Sequence, residues 1–523
     1  MLGHSREGWQ IQASPRPSLR SVSIIAVLIA LSACSPVAVS PSPTSQETSA
    51  PTTVLEGSQG SASIGDPAIT RLGNGGYDVS HYDLVLSYAP ATGLLEGVVS
   101  VQALATEPLV SFNLDMVGLE VLAVTVNGIA ADYERVGPEL VIQTPTVLAV
   151  GQPFDAAVEY AGWPAPHDSP ALGHPIGWFA DGRSVVVLSE PDGASSWFPS
   201  NDHPSDKATF SISVRVPEPL VAASSGELVE MSSAEGWSTF RWEMRQPMAT
   251  YALGLGIGAL ELVERGTTAG GTKIRDYIDT GASEGISTAF DAQADVLDFF
   301  EERFGEYPFE VYGSMLVQTT SEAAFAALET QTMSSFPLGE ELQSLPAGIV
   351  AHELAHQWFG NSVSLSRWQD IWLNEGFATY SQWLWMEHSE GAESFEREII
   401  NAYQLVSGGR LIEQGVAPEF LSGALARTFP PPGEPPPGEL FNGSVYLRGG
   451  LALHALRLEV GDEIFFETLE AYADRYRYGN VTTEDFVTVA EEIAGHELDD
   501  LLREWLFEPF PPPLPEHDLY PPG

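Results

Sequence analysis

The sequence predicts an α+β multidomain protein. An N-terminal all-β domain, either a sandwich or a saddle-shaped sheet, precedes a mixed domain that is rich in helices. Three observations lead to this prediction. The chain has 523 residues, which is too long for one ordinary domain. Apolar and polar side chains alternate at the strand period of two in the segment before residue 263, and beyond residue 289 they follow the helical period.

The chain is strongly acidic, with 71 acidic against 23 basic side chains and a formal net charge of −48. Nucleic-acid binding needs basic patches, so we expect no nucleic acid as a partner. The charge is typical of a secreted protein kept soluble by self-repulsion, or of one adapted to salt. The single cysteine excludes an intrachain disulfide, so we expect stability to come from packing.

Residues 1–33 are predicted to be a targeting segment rather than part of the fold. The apolar run at residues 22–31 is too short for a transmembrane helix. It leads into Leu-Ser-Ala-Cys at residues 31–34, which is similar to a bacterial lipobox, whose cysteine carries lipid. Lipid on Cys34 would hold the exported protein on the extracellular face of the cell membrane. The alternative is an ordinary signal peptide cut nearby, with Cys34 incidental.

Residues 34–65 are predicted to be a flexible linker, because Pro, Ser, Thr, Gly and Ala dominate and few large apolar side chains could form a core. Residues 66–265 form the predicted β domain. Apolar side chains alternate with polar ones at residues 81–88, and the Asn-Gly pair at residues 127–128 is a hairpin-turn signal. The Gly- and Thr-rich residues 266–272 are a candidate boundary.

Residues 266–512 form the second predicted domain, in which the pattern becomes helical. One helix is expected to end near Phe304 and Gly305. The proline-rich residues 429–438 interrupt the later helices, because no helix could contain them. Residues 513–523 form a proline-rich tail.

A candidate metal site begins with the string His-Glu-Leu-Ala-His at residues 352–356. Residues i and i+4 share one helix face, so His352 and His356 could bind the same metal ion. A catalytic zinc ion usually has three protein ligands and an open position. Glu375, which lies in a second helical pattern with eighteen residues between it and His356, is available as the third ligand. Glu353, between the two histidines on a half-apolar helix, is hard to explain as packing.

The strings HELAHQWFGN and WLNEGFATY resemble the aminopeptidase N family of zinc metallopeptidases, which includes leukotriene hydrolase. The resemblance implies a thermolysin-like catalytic domain behind the family's N-terminal β domain, with one zinc ion per chain. It also implies an aminopeptidase that hydrolyses N-terminal residues from peptides with a free N-terminus. Many family members continue with a large helical domain over the active site. We expect a short lipoprotein form without that domain here.

The resemblance assigns two catalytic roles. Glu353 would be the general base that takes a proton from water and later delivers it to the leaving amine. Tyr446 matches the family's catalytic tyrosine, whose hydroxyl donates a hydrogen bond to the tetrahedral intermediate. The family's neighbouring Glu and Lys are Leu447 and Arg448 here. The alternative is a tyrosine packed in front of a leucine-rich helix.

The resemblance also places two carboxylates at the substrate's free amine. The family uses the glutamate of Gly-x-Met-Glu-Asn, and the matching residues 326–330 make this Glu329. Ala326 replaces the glycine, which affects the approach of the backbone if a positive φ is needed. Glu190, from the β domain, matches the second amine-binding carboxylate, and Leu188 replaces the family's glutamine two residues earlier.

Asp370 is a candidate to accept the second ring proton of a zinc-bound histidine, with a helix N-cap or a solvated acid as equal alternatives. Two other functions are kept as alternatives. A zinc endopeptidase of the same fold would not need the amine-binding glutamates, and N-terminal blocking of a substrate would distinguish it. A non-catalytic peptide-binding lipoprotein would need neither Glu353 nor Tyr446.

Overall fold

The structure is a computed structural model, and part of the chain lies outside its described residues. The predicted targeting segment, Cys34, most of the predicted linker and Ala326 all lie outside them. The described residues confirm the α+β prediction, because a strand-rich N-terminal half precedes a helix-rich C-terminal half. The described residues are 57–321, 323, 327–339, 342, 344–410 and 428–521.

The N-terminal half is built from strands and short turns. An eight-stranded sheet has the order β15-β16-β13-β2-β3-β9-β5-β6, a four-stranded sheet β1-β4-β8-β7, and a five-stranded sheet β10-β11-β12-β17-β14. The strands are β1 Ser58–Gln59, β2 Tyr77–Ala89, β3 Leu94–Ala105, β4 Leu109–Asp115, β5 Glu120–Val126, β6 Ile129–Ala130, β7 Tyr133–Val136, β8 Glu139–Leu148, β9 Pro153–Gly162, β10 His167–Asp168, β11 Pro175–Ala180, β12 Val185–Leu188, β13 Ala208–Pro217, β14 Val221–Ser224, β15 Glu227–Ala234, β16 Trp237–Met248 and β17 Leu255–Gly258.

The alternation predicted for β2 is confirmed. Tyr82, Leu84 and Leu86 are buried in the core, whereas Val85 on the opposite face is exposed. Burying each such side chain contributes about 1.5–3 kcal/mol. β2 can pair with β3 on one side and with β13 on the other because both neighbours also direct apolar side chains to that face.

Two local predictions on this half have different outcomes. Asn127 and Gly128 both have positive φ and join β5 to β6, so the predicted hairpin turn is confirmed. The prediction of a flexible linker as far as residue 65 is wrong at its end. Residues 58–59 form β1, which pairs in parallel with β4.

The C-terminal half has its own sheet of order β18-β19-β21-β22, with β20 paired to β19. The predicted domain boundary at residue 266 falls inside the β18–β19 hairpin. The pairing of these two strands favours a boundary before Leu260. The limits of the two domains stay predictions. The strands are β18 Leu260–Thr267, β19 Lys273–Asp279, β20 Val311–Tyr312, β21 Ser314–Gln318, β22 Ser334–Leu338, β23 Ser364–Leu365 and β24 Asn480–Val481.

Helices pack beside this sheet, and their apolar side chains join the core that runs through both halves of the described chain. Gly305, with φ of 85°, ends α2 as predicted. Within the described ranges, no helix is both long and apolar enough to cross a membrane. The described α-helices are α1 Glu284–Ser287, α2 Gln293–Phe304, α3 Ala347–Ala355, α4 Trp372–Glu390, α5 Ala392–Val406, α6 Gly443–Val460, α7 Asp462–Arg475, α8 Thr483–Ala494 and α9 Asp499–Phe507.

Candidate active site

Helix α3 brings the two predicted histidines together. It begins directly after Pro346, which has the extended backbone that suits the residue before a helix. His352 lies in its last turn, and His356 follows its end with φ of −57° and ψ of −21°, so the helical spacing continues. The centroids of the two imidazole rings are 4.8 Å apart. Both rings therefore face one point, as the spacing of four residues predicts.

Hydrogen bonds fix the orientation of the two imidazoles. Nδ1 of His356 donates to the main-chain oxygen of Phe359 at 3.1 Å, which leaves Nε2 directed into the site. His352 hydrogen-bonds to Gln382 of α4. The prediction of Asp370 as the orienting carboxylate is wrong, because its oxygens accept from Arg367 at 2.5 Å and from Thr483 at 2.7 Å.

Helix α4 supplies the third predicted ligand from its first turn. Oε2 of Glu375 lies 3.3 Å from Nε2 of His352 and 3.5 Å from Nε2 of His356. Burial opposes ionisation of Glu375, but the charge of His356 and hydrogen bonds from both histidines lower the pKa of Glu375 to about 2. These three side chains offer two nitrogens and one anionic oxygen within 4.8 Å of one another, a donor set suited to zinc.

The carboxylates around His356 favour a cation at this point of the site. Burial opposes its protonation, but Glu329 and Glu375 raise the pKa of His356 to about 10. The imidazolium then supplies the positive charge that the surrounding carboxylates require. A divalent cation on the Nε2 atoms would replace that proton and neutralise the carboxylates more fully.

Glu353 lies beside the ligand atoms without being needed as a ligand. Its carboxylate belongs to a second convergent group with Glu329 and His356. Among the described residues, Oε2 of Glu353 has no hydrogen-bond partner although it is buried. Burial raises the pKa of Glu353 well above its usual range, and repulsion from Glu329 and Glu375 adds to this shift although His356 opposes it. This carboxylate is therefore suited to accept and hold a proton.

A glycine contact between α4 and α6 brings Tyr446 to the site. A Cβ on Gly376 would lie 2.8 Å from Cα of Gly449, and a Cβ on Gly449 would lie 2.9 Å from Cα of Gly376. Because neither residue has a side chain, the two helices approach closely at this crossing. Tyr446 in the first turn of α6 can then place its ring 6.2 Å from the ring of His352, with an interplanar angle of 23°.

The hydroxyl of Tyr446 is a hydrogen-bond donor in this site. Burial raises its pKa well above the usual range, and the charges of Glu375 and Glu190 raise it further. The hydroxyl therefore keeps its proton at neutral pH. It can donate a hydrogen bond to an oxygen that becomes negative beside the histidines.

Glu329 projects from a tight turn between Leu328 and Ser335, which exchange two main-chain hydrogen bonds. Its main-chain oxygen accepts from Nδ2 of Asn361 at 2.6 Å and from Nε2 of Gln357 at 3.3 Å. Its Oε1 is buried and has no partner within the described ranges, while its carboxylate hydrogen-bonds to Tyr251. The turn thus holds one carboxylate oxygen free for a ligand.

Glu190 reaches the same space from the N-terminal half. It follows β12, and β12 lies against β22, the strand that follows the Glu329 turn. Its Oε1 is buried and has no hydrogen-bond partner in the described part of the chain. Burial and then repulsion from Glu329 raise the pKa of Glu190 well above its usual range. The two carboxylates therefore favour a shared cation.

An apolar cleft of about 250 Å³ opens beside these groups. Glu190 and Tyr446 are polar groups in its wall, whereas most of the remaining lining is apolar. Leu188, which stands where the family has a glutamine, is part of this lining. The cleft is lined by Leu172, His174, Pro175, Ile176, Phe179, Leu188, Glu190, Ala323, Ala327, Leu328, Phe441 and Tyr446.

Fold and site together define a two-domain zinc metallopeptidase architecture, and comparisons with known proteins agree. Residues 288–505 match the peptidase family M1 domain, and residues 79–252 match the peptidase M1 N-terminal domain. The structure is similar to the M1 zinc metallopeptidase from Deinococcus radiodurans, with 34% identity, a TM-score of 0.75, and coverage of 87% of this chain and 99% of that chain. The chain belongs to peptidase family M1, and its cofactor is a single zinc ion.

Curated relatives are longer than this chain. It is 31% identical to aminopeptidase M1-C of Oryza sativa subsp. japonica over 329 residues, which are 61% of this chain and 36% of the relative. It is 26% identical to a leucyl aminopeptidase of Saccharolobus solfataricus over 443 residues, which are 82% of this chain and 53% of that relative. The chain thus spans between about a third and a half of these relatives.

All seven residues predicted for catalysis, zinc binding and amine binding lie in one region, but the sequence did not reveal the groups that hold them. Asn361, Gln382 and Tyr251 contact site residues that are more than 25 positions away along the chain. Asn361 is the last residue of the string HELAHQWFGN, whereas Gln382 and Tyr251 lie outside both strings that carry the resemblance. No local pattern could have assigned Asn361 or Tyr251 to Glu329.

Proposed function

We propose that the protein is a zinc-dependent aminopeptidase that hydrolyses N-terminal residues from peptides. One observation carries this proposal: four carboxylates and two imidazoles converge, and three of the carboxylate oxygens have no partner among the described residues. Such a site requires cations. A zinc ion and the ammonium group of a peptide are the two cations that this arrangement fits. The four carboxylates are those of Glu190, Glu329, Glu353 and Glu375.

We assign the zinc ion to His352, His356 and Glu375. Glu353 converges on His356, and the ring of Tyr446 lies 6.2 Å from that of His352, so the open position that a catalytic zinc ion needs would face these two residues. When bound there, zinc lowers the pKa of a water molecule and polarises the scissile carbonyl. His356 must then be neutral, with its proton on Nδ1, which donates to the main-chain oxygen of Phe359 that orients the ring.

Glu353 and Tyr446 perform the proton transfer and the charge stabilisation. The free oxygen of Glu353 accepts a proton from the attacking water, and its raised pKa lets it hold that proton until the leaving amine takes it. Tyr446 keeps its hydroxyl proton and donates a hydrogen bond to the oxyanion. A site for binding alone would need neither function.

Glu329 and Glu190 bind the free amine. An ammonium group between them would relieve the repulsion that raises the pKa of Glu190. It would also pair with the free oxygens of both side chains. This fixes the distance from the N-terminus to the reacting carbonyl, which limits cleavage to the first peptide bond. A structure of the Deinococcus radiodurans relative as a mutant contains a Tyr-Ser-Ala substrate, which fits the same class of ligand.

The apolar cleft favours an apolar first residue. With its amine on Glu190, a peptide would direct its first side chain along Leu188, Ile176 and Phe179. Burying an apolar side chain there contributes about 25 cal/mol per Å², whereas burying a carboxylate without a partner is unfavourable. We therefore expect N-terminal Leu or Phe to be preferred over Asp.

The test compares one peptide in two forms. Leu-Ala-Ala and N-acetyl-Leu-Ala-Ala are incubated with the purified protein before and after a chelator, and again after zinc is restored. We expect zinc-dependent release of leucine from the free peptide alone. Cleavage of both forms would establish the endopeptidase alternative. Cleavage of neither form by protein with one zinc ion bound would contradict the proposed activity and favour the peptide-binding alternative.

We further propose that the enzyme is exported and anchored by lipid on Cys34. The support is the string Leu-Ser-Ala-Cys after a short apolar run, at the single cysteine of the chain. In a bacterial host, an alkyne-tagged fatty acid should label the wild-type protein and should not label C34S. An unlabelled wild-type protein in the membrane-free fraction would contradict the anchor.

A further inference from the structure

Lys207 is an unusual residue in this chain. The sequence has only two lysines, Lys207 and Lys273, among its 23 basic residues. Lys207 directly precedes β13 of the eight-stranded sheet, and its amine lies in a partly buried position between the two halves of the molecule. Burial lowers the pKa of Lys207 to about 7. A charge in such a place is unfavourable without compensating contacts, so its contacts indicate what it does.

The contacts of Lys207 lie on the turn that follows helix α3. Nζ donates to the main-chain oxygen of Asn361 at 2.8 Å and to that of Ser362 at 3.0 Å. We call residues 357–364 the post-helix turn. Hydrogen bonds from an ammonium group are stronger than those from a neutral donor. The amine of a lysine from the N-terminal half thus holds a turn of the C-terminal half.

The post-helix turn holds two residues of the active site. The main-chain oxygen of Phe359 accepts from Nδ1 of His356 at 3.1 Å. Nδ2 of Asn361 donates to the main-chain oxygen of Glu329 at 2.6 Å. One turn therefore orients a zinc ligand and an amine-binding carboxylate. Any shift of the turn would move the acceptor of His356 and the anchor of Glu329 together.

We propose that Lys207 is a positioning residue for the zinc site, acting through the main-chain oxygens of Asn361 and Ser362. Outer contacts of this kind change metal affinity by about 10–100-fold when they are removed. Loss of the ammonium would leave two carbonyls without their donor and free the post-helix turn to move. The role at zinc does not depend on the substrate, whereas the role at Glu329 rests on the proposed function.

The test measures zinc affinity in K207M, with K273M as the matched control. Lys273 is exposed on β19, so K273M makes the same chemical change away from the site. The dissociation constant for zinc is measured by competition with a chromophoric chelator, and the thermal midpoint of each zinc-free protein is measured beside it. We expect zinc to bind about 10–100-fold more weakly to K207M and within about twofold of wild type to K273M.

A purely structural role would give a different result. In that case K207M would lower the thermal midpoint and leave the zinc dissociation constant within twofold of wild type, which would overturn the proposal. If K207M does not fold, K207L is used, because it also removes the donor to both main-chain oxygens. The same twofold limit then decides the outcome.

Peptide hydrolysis adds a second measurement that separates the two proposals. With zinc saturating, we expect KM for a free peptide to rise in K207M by a larger factor than kcat falls, because Glu329 binds the ground-state amine. A fall in kcat with unchanged KM would contradict the link to Glu329. A wild-type protein that cleaves no peptide would refute the proposed function, while the zinc titration would still decide the role of Lys207.

Discussion

The metal-binding side and the amine-binding side of this site are built in different ways. The metal-binding side, His352, His356 and Glu375, lies on two adjacent helices of one domain, where helical spacing sets the distances. The amine-binding side, Glu190 and Glu329, lies on two turns from different halves of the chain. Its geometry depends on contacts such as those of Asn361 and Tyr251. The first side is a local structure, and the second is a product of tertiary packing.

This difference predicts how each side responds to substitution. A substitution on the helices of the metal-binding side should abolish a chemical step and leave substrate binding intact. A substitution on the two turns of the amine-binding side should weaken binding of the substrate's amine while zinc remains bound. The substitutions below test this division, beginning with the largest expected effect.

Glu353→Gln should reduce kcat by about 10²–10⁴-fold, because it removes the base that accepts the proton of water. Zinc content and KM should stay near wild type, since Glu353 is not a ligand. Steady-state kinetics on Leu-Ala-Ala and metal analysis measure both. Glu393→Gln, an exposed change on α5, is the control. Activity above a tenth of wild type would contradict this role.

Tyr446→Phe should reduce kcat by about 10²–10³-fold with little change in KM, because the hydrogen bond is needed only when the oxyanion forms. The ring, and with it the contact with His352, is retained. The ratio of kcat to KM for the same peptide measures the effect. Tyr520→Phe, at an exposed position, serves as the control. An increase in KM with unchanged kcat would instead place Tyr446 among the binding groups.

Glu329→Gln should raise KM for a free peptide, with an expected loss of about 10–100-fold in kcat/KM. This corresponds to about 1.5–3 kcal/mol for a hydrogen bond to a charged group. Glu190→Gln should have the smaller effect of the two, since Glu190 is only partly buried. Zinc content should not change in either variant. If Glu329→Gln cleaved free and N-acetylated peptides with the same ratio as wild type, Glu329 would not be at the amine.

Gly376→Ala should lower the free energy of unfolding by about 1–3 kcal/mol, because the new methyl group would meet backbone atoms of Gly449 rather than a movable side chain. Thermal unfolding of the zinc-free protein measures this. The control is Gly75→Ala, because Gly75 does not have a positive φ and its new methyl group would meet only one side-chain atom. Gly391→Ala is unsuitable because Gly391 has a positive φ. An unchanged midpoint for Gly376→Ala would refute the close helix crossing.

The same division explains what could be predicted from the sequence. His352 and His356 follow from helical periodicity and the spacing of four residues, with Glu353 between them, and Glu375 from a second helical pattern that offers a third ligand. Glu190, Glu329 and Tyr446 could be assigned only through the resemblance to a family. Their neighbourhood arises from strand and helix packing between distant segments, such as the crossing of Gly376 and Gly449.

The errors have the same origin. Asp370 precedes the helix of the third ligand, so its position suggested a partner for a histidine. Its carboxylate instead contacts Arg367 and Thr483, and Thr483 lies 113 positions away in the chain. The end of the predicted linker was misassigned because two residues of ordinary composition become β1 only by pairing with β4. The sequence did not reveal the role of Lys207, because its hydrogen-bond acceptors are main-chain oxygens, which every residue has.

A crystal structure of the zinc-loaded protein with L-phenylalanine would test the central claim most directly. We expect an anomalous zinc peak within bonding distance of His352, His356 and Glu375. We also expect the ammonium group of the amino acid within hydrogen-bond distance of Glu329 and Glu190, with the phenyl ring in the apolar cleft. A zinc ion on other residues, or an ammonium group directed away from both glutamates, would contradict it.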